Sequence, residues 1–341
     1  MDWFRPYNKV QLKKVTQTRT GETRIGDHCY ALESNHELSN LKQLAEQGVK
    51  FAVLGINEDL GPRGNLGRGG SGDGFHAAIE QLANFQSNQY LSGSEIIILG
   101  DIDTSDLSAN QSDDINHIRQ QVADIDARVV EVISQVIAAG LEPIVIGGGH
   151  NNAYGILKAC SLVLKQPMAA VNLDPHSDFR LKEGRHSGNG FSYAASEGYL
   201  GFYHVLGLHE LKNSAANLKQ LNEFGASWHS LQQIWIRREV ELTEALTQIN
   251  YKVMQSTLPL GIELDVDAIA NFPSSAMTTA GIPLMDAAHY IHFMAKNAQC
   301  RYLHLAEPAP VCHPLSAEIG YKQVGQSLAE LIYAYIQGRF S

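Results

Sequence analysis

The stretch AVNLDPHSDFRLKEGRHSGNGF, residues 170–191, is the part of this sequence from which the fold and the chemistry can be inferred. An apolar run at residues 169–173 predicts a buried β-strand, and polar residues follow it directly. Asp174, His176 and Asp178 occupy alternate positions, so extended chain places them on one side at the end of the strand. Open α/β sheets bind ligands at that end. Two carboxylates and an imidazole suit manganese, iron or zinc, although a polar loop with a capping aspartate and an isolated histidine would give the same pattern.

The composition excludes several classes of protein. Hydrophobic residues make up 44% of the 341 residues, enough for a large core, and the net charge of −10 argues against a general nucleic-acid or anionic-membrane surface. The cysteines form no CxxC pair or zinc-knuckle spacing, which favours a reducing compartment. No stretch approaches the roughly 18 apolar residues of a membrane span, and the first residues lack a signal-peptide core. We therefore expect a cytoplasmic protein that binds neither nucleic acid nor membranes.

Predicted strands and helices alternate along the chain. Apolar runs predict further strands at residues 51–56, 95–99, 143–146, 203–208, 258–266 and 301–306. Apolar spacings of three and four predict helices at residues 38–46, 75–85, 113–139, 152–164, 214–224, 237–251, 285–297 and 317–337. This alternation predicts one doubly wound, mostly parallel sheet with helices on both faces. We expect residues 1–48 to form an extension packed on a single main domain at residues 49–341.

A glycine-rich segment, EDLGPRGNLGRGGSGDGF at residues 58–75, follows the first of these strands. It contains neither the Walker pattern GxxxxGK[ST] nor a dinucleotide-binding fingerprint in the right context. Glycine permits positive φ and close approach of the backbone to other groups. The segment is therefore either a flexible loop or the wall of an active site, in which Arg63 and Arg68 could hold a carboxylate.

Further candidate ligands follow two other predicted strands. His150 comes after the strand at residues 143–146, and Asp265 and Asp267 end the strand at residues 258–266. Together with the residues at 174–178, they bring two histidines and four aspartates to one edge of the sheet. Four close carboxylates repel one another unless cations neutralise them. Six ligands are too many for one four-coordinate zinc ion but suit two divalent ions that share a carboxylate.

These motifs resemble those of the arginase–agmatinase–formimidoylglutamase family of binuclear manganese hydrolases, in the expected order. GGGHNNAYG resembles the family's GG[DG]H segment, NLDPHSDFR its DAHxD segment, and LDVDAI its DVDAI segment. The resemblance implies an arginase-like three-layer α/β/α sandwich and two Mn²⁺ ions per subunit. Their ligands would be His150, Asp174, His176, Asp178, Asp265 and Asp267. Glu307, in HLAEPAP, matches the Glu-x-x-Pro element whose carboxylate holds the substrate's amidinium or guanidinium group.

The chain departs from the family pattern at several positions. Pro175 replaces the usual alanine, and Asn151 stands where Asp, Glu or Ser is commoner, which leaves the contact at the helix start open. A shifted register of the third motif would make Glu263 and Asp265 the ligands. Agreement with DVDAI residue by residue favours Asp265 and Asp267, and it leaves Glu263 as an acid beside the site or on the strand face.

The second half of the opening stretch indicates the substrate. Where arginases carry a histidine two residues after Ser-Gly-Asn, this chain has Phe191, and the arginase-type asparagine after the last aspartate is Arg180. Formimidoylglutamases are similar in both respects, and their G-x-R-x-N-x-G-R-x-G pattern resembles the glycine-rich segment. N-formimidoyl-L-glutamate carries two carboxylates, for which Arg63, Arg68 or Arg180 are suitable anchors, whereas arginines would repel the cationic tail of agmatine.

The resemblance implies hydrolysis of the C–N bond of a linear amidine, giving L-glutamate and formamide in histidine breakdown. A metal-bridging hydroxide would attack the carbon held by Glu307, and Asp178 would pass a proton to the leaving amine. Ser187 and Asn189 are candidate substrate contacts, and the relatives imply a homo-oligomer. Two alternatives stay open. One is another ureohydrolase, which would release urea from arginine or a guanidino acid, and the other is a metal-binding homologue without catalysis.

Overall fold

A central β-sheet of ten strands runs through the part of the chain that the computed structural model describes, residues 2–108 and 114–341. The strands are β1 Phe4–Pro6, β2 Tyr30–Ala31, β3 Phe51–Asn57, β4 Ile96–Asp103, β5 Glu142–Ile146, β6 Met168–Leu173, β7 Leu200–Leu208, β8 Ser227–Ser230, β9 Leu260–Asp265 and β10 Cys300–Ala306. They lie in the order β1-β4-β3-β5-β10-β9-β6-β7-β8, and β2 pairs with β4. Every one of these pairings is parallel except that of β1 with β4.

Helices cover both faces of the sheet. The α-helices are α1 Lys9–Val15, α2 Ile25–His28, α3 Leu41–Glu46, α4 Leu60–Gly64, α5 Gly74–Leu82, α6 Ser105–Ser108, α7 Ile115–Ala138, α8 Asn152–Leu164, α9 Gly190–Ser196, α10 Ala215–Phe224, α11 Leu242–Ser256, α12 Leu284–Asn297 and α13 Ala317–Phe340. On β9, Leu260, Ile262 and Leu264 enter the core formed with α5, α11, α12 and α13. A second core contains α7, α8 and α10 on the opposite face. The predicted α/β/α sandwich is therefore confirmed.

Alternation along β9 also decides where its polar residues lie. Side chains of consecutive strand residues point to opposite faces. Glu263 and Asp265 stand between the leucine and isoleucine positions, so they point to the face of α7, α8 and α10. Both acids are buried. A buried carboxylate needs hydrogen-bond donors or cations around it, and the site described below supplies donors to Glu263.

The largest difference from the predicted elements lies at residues 227–241. The structure has β8 and a π-helix at Gln232–Ile236 there, and α11 begins at Leu242 instead of residue 237. Arg238 adopts φ +53, which is incompatible with a right-handed helix, so the helix cannot start before it. The helix predicted at residues 113–139 is α7, which Asp114 caps by accepting a hydrogen bond from the Asn116 amide; residue 113 lies outside the described residues.

The first 48 residues contribute to the same sheet. Phe4–Pro6 pairs antiparallel with β4, and Tyr30–Ala31 pairs parallel with it. The predicted helix at residues 38–46 is a 3₁₀ turn, Asn35–Asn40, followed by α3. The division of the chain at residue 48 stays a prediction. Within the described residues no helix is long and apolar enough to span a membrane.

Candidate metal centre and substrate cleft

Four neighbouring strands in the middle of the sheet deliver the predicted ligands to one place. β5, β10, β9 and β6 are adjacent and parallel, so their carboxyl ends meet at the same edge. The residues at or just after these four ends are His150 after β5, Glu307 after β10, Asp265 as the last residue of β9 with Asp267 after it, and Asp174, His176 and Asp178 after β6. The structure therefore brings together all six residues that were predicted as metal ligands.

The six residues form two groups that could each hold a metal ion. In the first group, His150 Nδ1 lies 3.2 Å from an Asp174 oxygen, 2.9 Å from Asp178 and 3.6 Å from Asp265. The second group consists of His176, Asp265 and Asp267, and their potential ligand atoms lie within 4.8 Å of one another. Asp265 belongs to both groups. A shared carboxylate between two ligand sets is the arrangement that binuclear sites need.

The electrostatics of the centre favour a bound cation. Burial and the neighbouring Asp267 and Asp174 carboxylates raise the pKa of Asp265 well above its ordinary value. His150 Nδ1 is buried and makes no hydrogen bond of good geometry to any described residue, although three carboxylates surround it. A divalent ion would accept the lone pair of this nitrogen and neutralise the crowded acids. These residues therefore fit the pair of Mn²⁺ ions that the family resemblance implies.

Two candidate site residues, Asp178 and Glu307, have an unusual backbone conformation. Asp178 has φ +44 and Glu307 has φ +68, a region that non-glycine residues rarely adopt. Glu307 Oε1 accepts a hydrogen bond from the His150 amide at 3.0 Å, whereas its buried Oε2 makes no hydrogen bond of good geometry to any described residue, the Ser275 side chain being the polar group near the carboxylate. Burial and the Asp265 and Asp267 carboxylates raise the pKa of Glu307 well above its ordinary value. An unpartnered carboxylate oxygen beside the centre is suited to a cationic amidinium.

A turn of three glycines precedes His150. The Glu58 carboxylate, which the sequence did not mark as functional, holds this turn in place. Glu58 Oε1 accepts hydrogen bonds from the Gly149 amide at 2.6 Å and from Asn152 Nδ2 at 2.7 Å. Glu58 Oε2 accepts from the Gly61 amide at 2.9 Å, which ties the glycine-rich segment to the same turn. The segment contributes α4 and the residues Pro62, Asn65, Gly67 and Arg68 to the wall of the cleft described below.

A Gly148→Ala variant is expected to lower the free energy of unfolding by about 3 kcal/mol or more. Gly148 has φ +64, and an added Cβ would collide with Asn152 Nδ2 and lie 2.8 Å from Glu58 Oε1. Gly140 is a matched control, because it has φ +85 and an added Cβ there meets no described atom within 4 Å. Gly140→Ala should cost only about 1–2 kcal/mol of backbone strain. Equal losses in urea unfolding of the two metal-free variants would contradict this account of the turn.

A cleft of ≈ 510 Å³ opens onto the centre. His176, Asp178, Asp265, Asp267 and Glu307 form its floor. Arg68, Arg180 and Lys212 are the lysine and arginine residues that line it, together with Ser187 and with Glu183, which pairs with Arg180. Lys212 follows β7 in a loop that no motif marked, so only its place in the fold identifies it. Three cations around an acidic floor favour a substrate that is cationic at one end and anionic at the other.

The predicted substrate contacts divide into two kinds. Arg68 lines the cleft and donates to the Ser274 carbonyl at 2.9 Å, and Arg180 lines it and donates to Asn65 Oδ1 at 2.6 Å. Arg63 is not a lining residue; its guanidinium faces Asp59 at 3.9 Å. Asn189 is also not brought to the cleft, because it is fully buried and its side chain bonds within its own loop. Arg68 and Arg180 thus reach the cleft, whereas Arg63 and Asn189 do not. The conformation of their loops decides this, and residue type alone does not predict it.

Two further positions at which the sequence departs from the family pattern are buried. Phe191, at the position of the arginase histidine, is fully buried and packs edge-on against His150 with a ring distance of 5.2 Å. It therefore packs against a candidate ligand and does not line the cleft. Asn151 is buried at the start of α8, and its side chain makes no hydrogen bond to any described residue. The contact at the helix start, which the sequence left open, is therefore not made by the Asn151 side chain with any described residue.

Glu263 lies beneath the first ligand group. Its Oε2 is 3.3 Å from His150 Nε2, on the side of the ring opposite the three aspartates. Asp267, and not Glu263, is the residue that shares a group with His176 and Asp265. The geometry therefore favours the register in which Asp265 and Asp267 are the ligands. The assignment of all six ligands stays a proposal.

Comparison with known proteins gives the family. A sequence model of the arginase family matches residues 49–323, most of the chain. This chain belongs to the arginase family. It is 28% identical over 281 residues to the formimidoylglutamase of Chromobacterium violaceum, a match that covers 79% of this chain and 84% of that relative.

Solved structures of the arginase family share the fold. The formimidoylglutamase of Bacillus subtilis superposes with a TM-score of 0.75 at 17% identity, covering 95% of this chain and 94% of that one. The formiminoglutamase of Trypanosoma cruzi with two Mn²⁺ ions superposes with a TM-score of 0.69 at 17% identity, covering 93% and 98%. At these identities the likeness supports the arginase-like fold alone. The family assignment and the predicted fold are thus confirmed together.

Proposed function

We propose that this protein hydrolyses N-formimidoyl-L-glutamate to L-glutamate and formamide with two Mn²⁺ ions. The observation that carries the proposal is the placement of Glu307, whose unpartnered oxygen lies beside the two ligand groups at the floor of a cleft with basic walls. A compact cationic amidine would meet Glu307, and the two carboxylates of the glutamate part would extend toward the basic walls. Sequence relatives named formimidoylglutamases support this choice of substrate.

The two ligand groups would hold the ions, with His150, Asp174 and Asp178 on one side, His176 and Asp267 on the other, and Asp265 between them. When bound, two divalent ions lower the pKa of a water molecule so that hydroxide is available near neutral pH. Manganese suits this set of imidazole and carboxylate donors. The formiminoglutamase of Trypanosoma cruzi, solved with two Mn²⁺ ions, supports the same cofactor here.

The side chains supply the rest of the chemistry. Glu307 orients the amidinium through a charge-assisted hydrogen bond, which keeps the central carbon electrophilic. Asp178 reaches both the first ligand group and the cleft, so its carboxylate can take a proton from the attacking water. It then protonates the nitrogen of the glutamate part as the C–N bond to the formimidoyl carbon breaks. The oxygen of water stays on that carbon and becomes the carbonyl of formamide when its remaining proton passes to the released amine, which leaves as the ammonium group of L-glutamate, so the reaction balances.

Arg180 is proposed to hold a substrate carboxylate. Its guanidinium is positioned by Asn65 on one side and by Glu183 at 3.2 Å on the other, and part of it remains exposed in the cleft. Arg68 and Lys212 are the other basic side chains available in the cleft. The cationic tail of agmatine would meet three like charges there, which disfavours an agmatinase activity.

An Arg180→Ala variant is expected to raise KM for N-formimidoyl-L-glutamate about tenfold with little change in kcat. An anchor remote from the reacting carbon binds the ground state and the transition state alike, so its loss appears in KM. Arg63→Ala is the matched control from the glycine-rich segment, since Arg63 faces Asp59 and does not line the cleft. Steady-state kinetics of both variants check this. A larger KM change in Arg63→Ala than in Arg180→Ala would contradict the assignment.

A substrate panel tests the proposed function. Manganese-loaded protein is incubated with N-formimidoyl-L-glutamate, L-arginine, agmatine and a guanidino acid, and formamide, glutamate and urea are quantified. We expect formamide from the first compound and no urea from the others. Urea from arginine or from the guanidino acid would overturn the choice of substrate. Two bound Mn²⁺ ions without turnover of any compound would favour a metal-binding homologue without catalysis. The predicted homo-oligomer and cytoplasmic location stay predictions.

A further inference from the structure

A buried polar network lies on the side of His150 that faces away from the candidate ions. It consists of Glu263 on β9 with Tyr302 and His304 on the neighbouring strand β10, and all three side chains are fully buried. Parallel pairing sets the contacts, because Tyr302 lies beside Gly261 and His304 lies beside Glu263 in the ladder. Neither the cleft nor the proposed substrate reaches these residues. The mechanism above gives them no role.

Donors surround the Glu263 carboxylate. Tyr302 donates its hydroxyl to Oε1 at 2.6 Å, and His304 Nδ1 lies 2.7 Å from Oε2. His150 Nε2 lies 3.3 Å from the same Oε2. A buried carboxylate is retained when donors satisfy its oxygens, so each of these nitrogens is best placed as an N–H donor.

Gly261 leaves room for the Tyr302 side chain in this network. A Cβ at this position would collide with the ring and hydroxyl of Tyr302. The absence of a side chain lets the Tyr302 hydroxyl come within hydrogen-bond distance of Glu263. Gly261 and Glu263 on β9 therefore both accommodate Tyr302 on β10, one by leaving space and the other by accepting its hydrogen bond.

We infer that Glu263 is a positioning residue that keeps the ring proton of His150 on Nε2, so that Nδ1 offers its lone pair to a metal ion. A neutral imidazole carries one proton, and a carboxylate beside one nitrogen holds the proton there. The competing tautomer carries the proton on Nδ1 and donates it to Asp178, which lies only 2.9 Å away. That tautomer would block the first ligand group. The inference rests on the metal-binding part of the proposed function.

Replacing Glu263 by methionine keeps the length of the side chain but removes the acceptor. His150 belongs to one ligand group and not to the other, so a Glu263→Met variant should weaken one Mn²⁺ ion about 10- to 100-fold. The second ion should change less than about threefold. Titration of Mn²⁺ against a competing chelator measures both constants, and metal analysis gives the number of ions bound. Equal weakening of both ions, or of neither, would overturn the inference.

Tyr302→Phe is the matched control within the network. It removes the donor to Oε1 but leaves the Glu263–His150 contact, so the affinity of both ions should stay within about threefold of the wild type. A loss as large as that of Glu263→Met would mean that any damage to the network is sufficient, and would contradict a specific role of the acceptor. If Glu263→Met does not fold, Glu263→Gln takes its place. Loss of the charge should weaken the same single ion about tenfold, and unchanged affinities would overturn the inference.

The tautomer itself can be observed without metal. In the metal-free wild type, at a pH high enough to leave the ring neutral although the carboxylates around it raise the pKa of His150, ¹⁵N spectra of histidine rings should place the His150 proton on Nε2. The signal is assigned by its absence in His150→Asn. In Glu263→Met the proton should move to Nδ1. A His150 proton on Nδ1 in the wild type would overturn the inference even if two ions bind. Failure of the wild type to bind Mn²⁺ would instead contradict the proposed function, and the tautomer measurement would still decide the role of Glu263.

Discussion

Replacing Asp265 by asparagine is expected to lower kcat/KM for N-formimidoyl-L-glutamate about a thousandfold or more and to leave the protein without its pair of ions. Asp265 is the residue common to both ligand groups. A neutral amide oxygen is a weaker ligand than a carboxylate, so both groups lose affinity at once. Formamide release and manganese content of the purified variant measure the two effects.

The same substitution should not harm the fold. Asp265 Oδ1 accepts a hydrogen bond from the Asp267 amide at 2.8 Å, and the asparagine oxygen can accept it too. Burial and the neighbouring acids raise the pKa of Asp265, which means that its charge is destabilising when no cation is present. The metal-free variant should therefore unfold at a temperature no lower than that of the metal-free wild type.

A matched control is Asp106→Asn on the surface. Asp106 lies in α6 after β4 and pairs with Arg128, and it belongs to neither ligand group and does not line the cleft. The manganese content and kcat/KM of the Asp106→Asn variant should equal those of the wild type. Two bound ions and full activity in Asp265→Asn would contradict the binuclear centre. A strongly lowered unfolding temperature would show that the loss of activity comes from the fold.

Replacing Glu307 by glutamine should separate substrate binding from metal binding. We expect kcat/KM to fall about 30- to 1000-fold, because a buried charge opposite the amidinium is removed, which costs about 2–4 kcal/mol. Glu307 belongs to neither ligand group, so the variant should still bind two ions. The glutamine oxygen can accept the hydrogen bond from the His150 amide that Glu307 Oε1 now accepts at 3.0 Å.

Glu197→Gln is the corresponding control outside the cleft. Glu197 accepts a hydrogen bond from the Tyr154 hydroxyl at 2.8 Å and does not line the cleft. The kinetics and manganese content of the Glu197→Gln variant should match those of the wild type. Loss of manganese from Glu307→Gln would show that Glu307 acts through the ions, and wild-type kcat/KM in that variant would remove it from the mechanism.

Glu307 and Asp178 also share a strained backbone conformation. Both residues adopt positive φ, which is costly for residues with a Cβ, and both face the reacting groups. The Glu307 amide donates to the Gly148 carbonyl at 2.9 Å, so the glycine turn before His150 helps to hold the strained residue. Gly148→Ala should therefore impair activity as well as stability.

The local sequence was sufficient for the candidate ligands and for most of the elements. Apolar runs of strand length lead into the three glycines before His150, into Asp174 and into Asp265. Helix α8 begins and ends where its apolar spacing predicts, at Asn152–Leu164. These features depend on short-range physics, since strand alternation and helical periodicity act over a few residues. Parallel strands in an α/β sheet must end at a common edge, so the gathering of the ligands followed from the fold class.

Only the tertiary structure decided which polar residues share a contact. Arg63 and Arg68 lie in one segment, yet Arg68 lines the cleft and Arg63 faces Asp59. Glu263 was an acid of uncertain role until β10 brought Tyr302 and His304 against it. Lys212 and Glu58 carry no motif, and their roles follow from neighbours far away in the chain. Such contacts depend on the order of strands and on loop geometry, which non-local packing determines and which residue type and spacing do not encode.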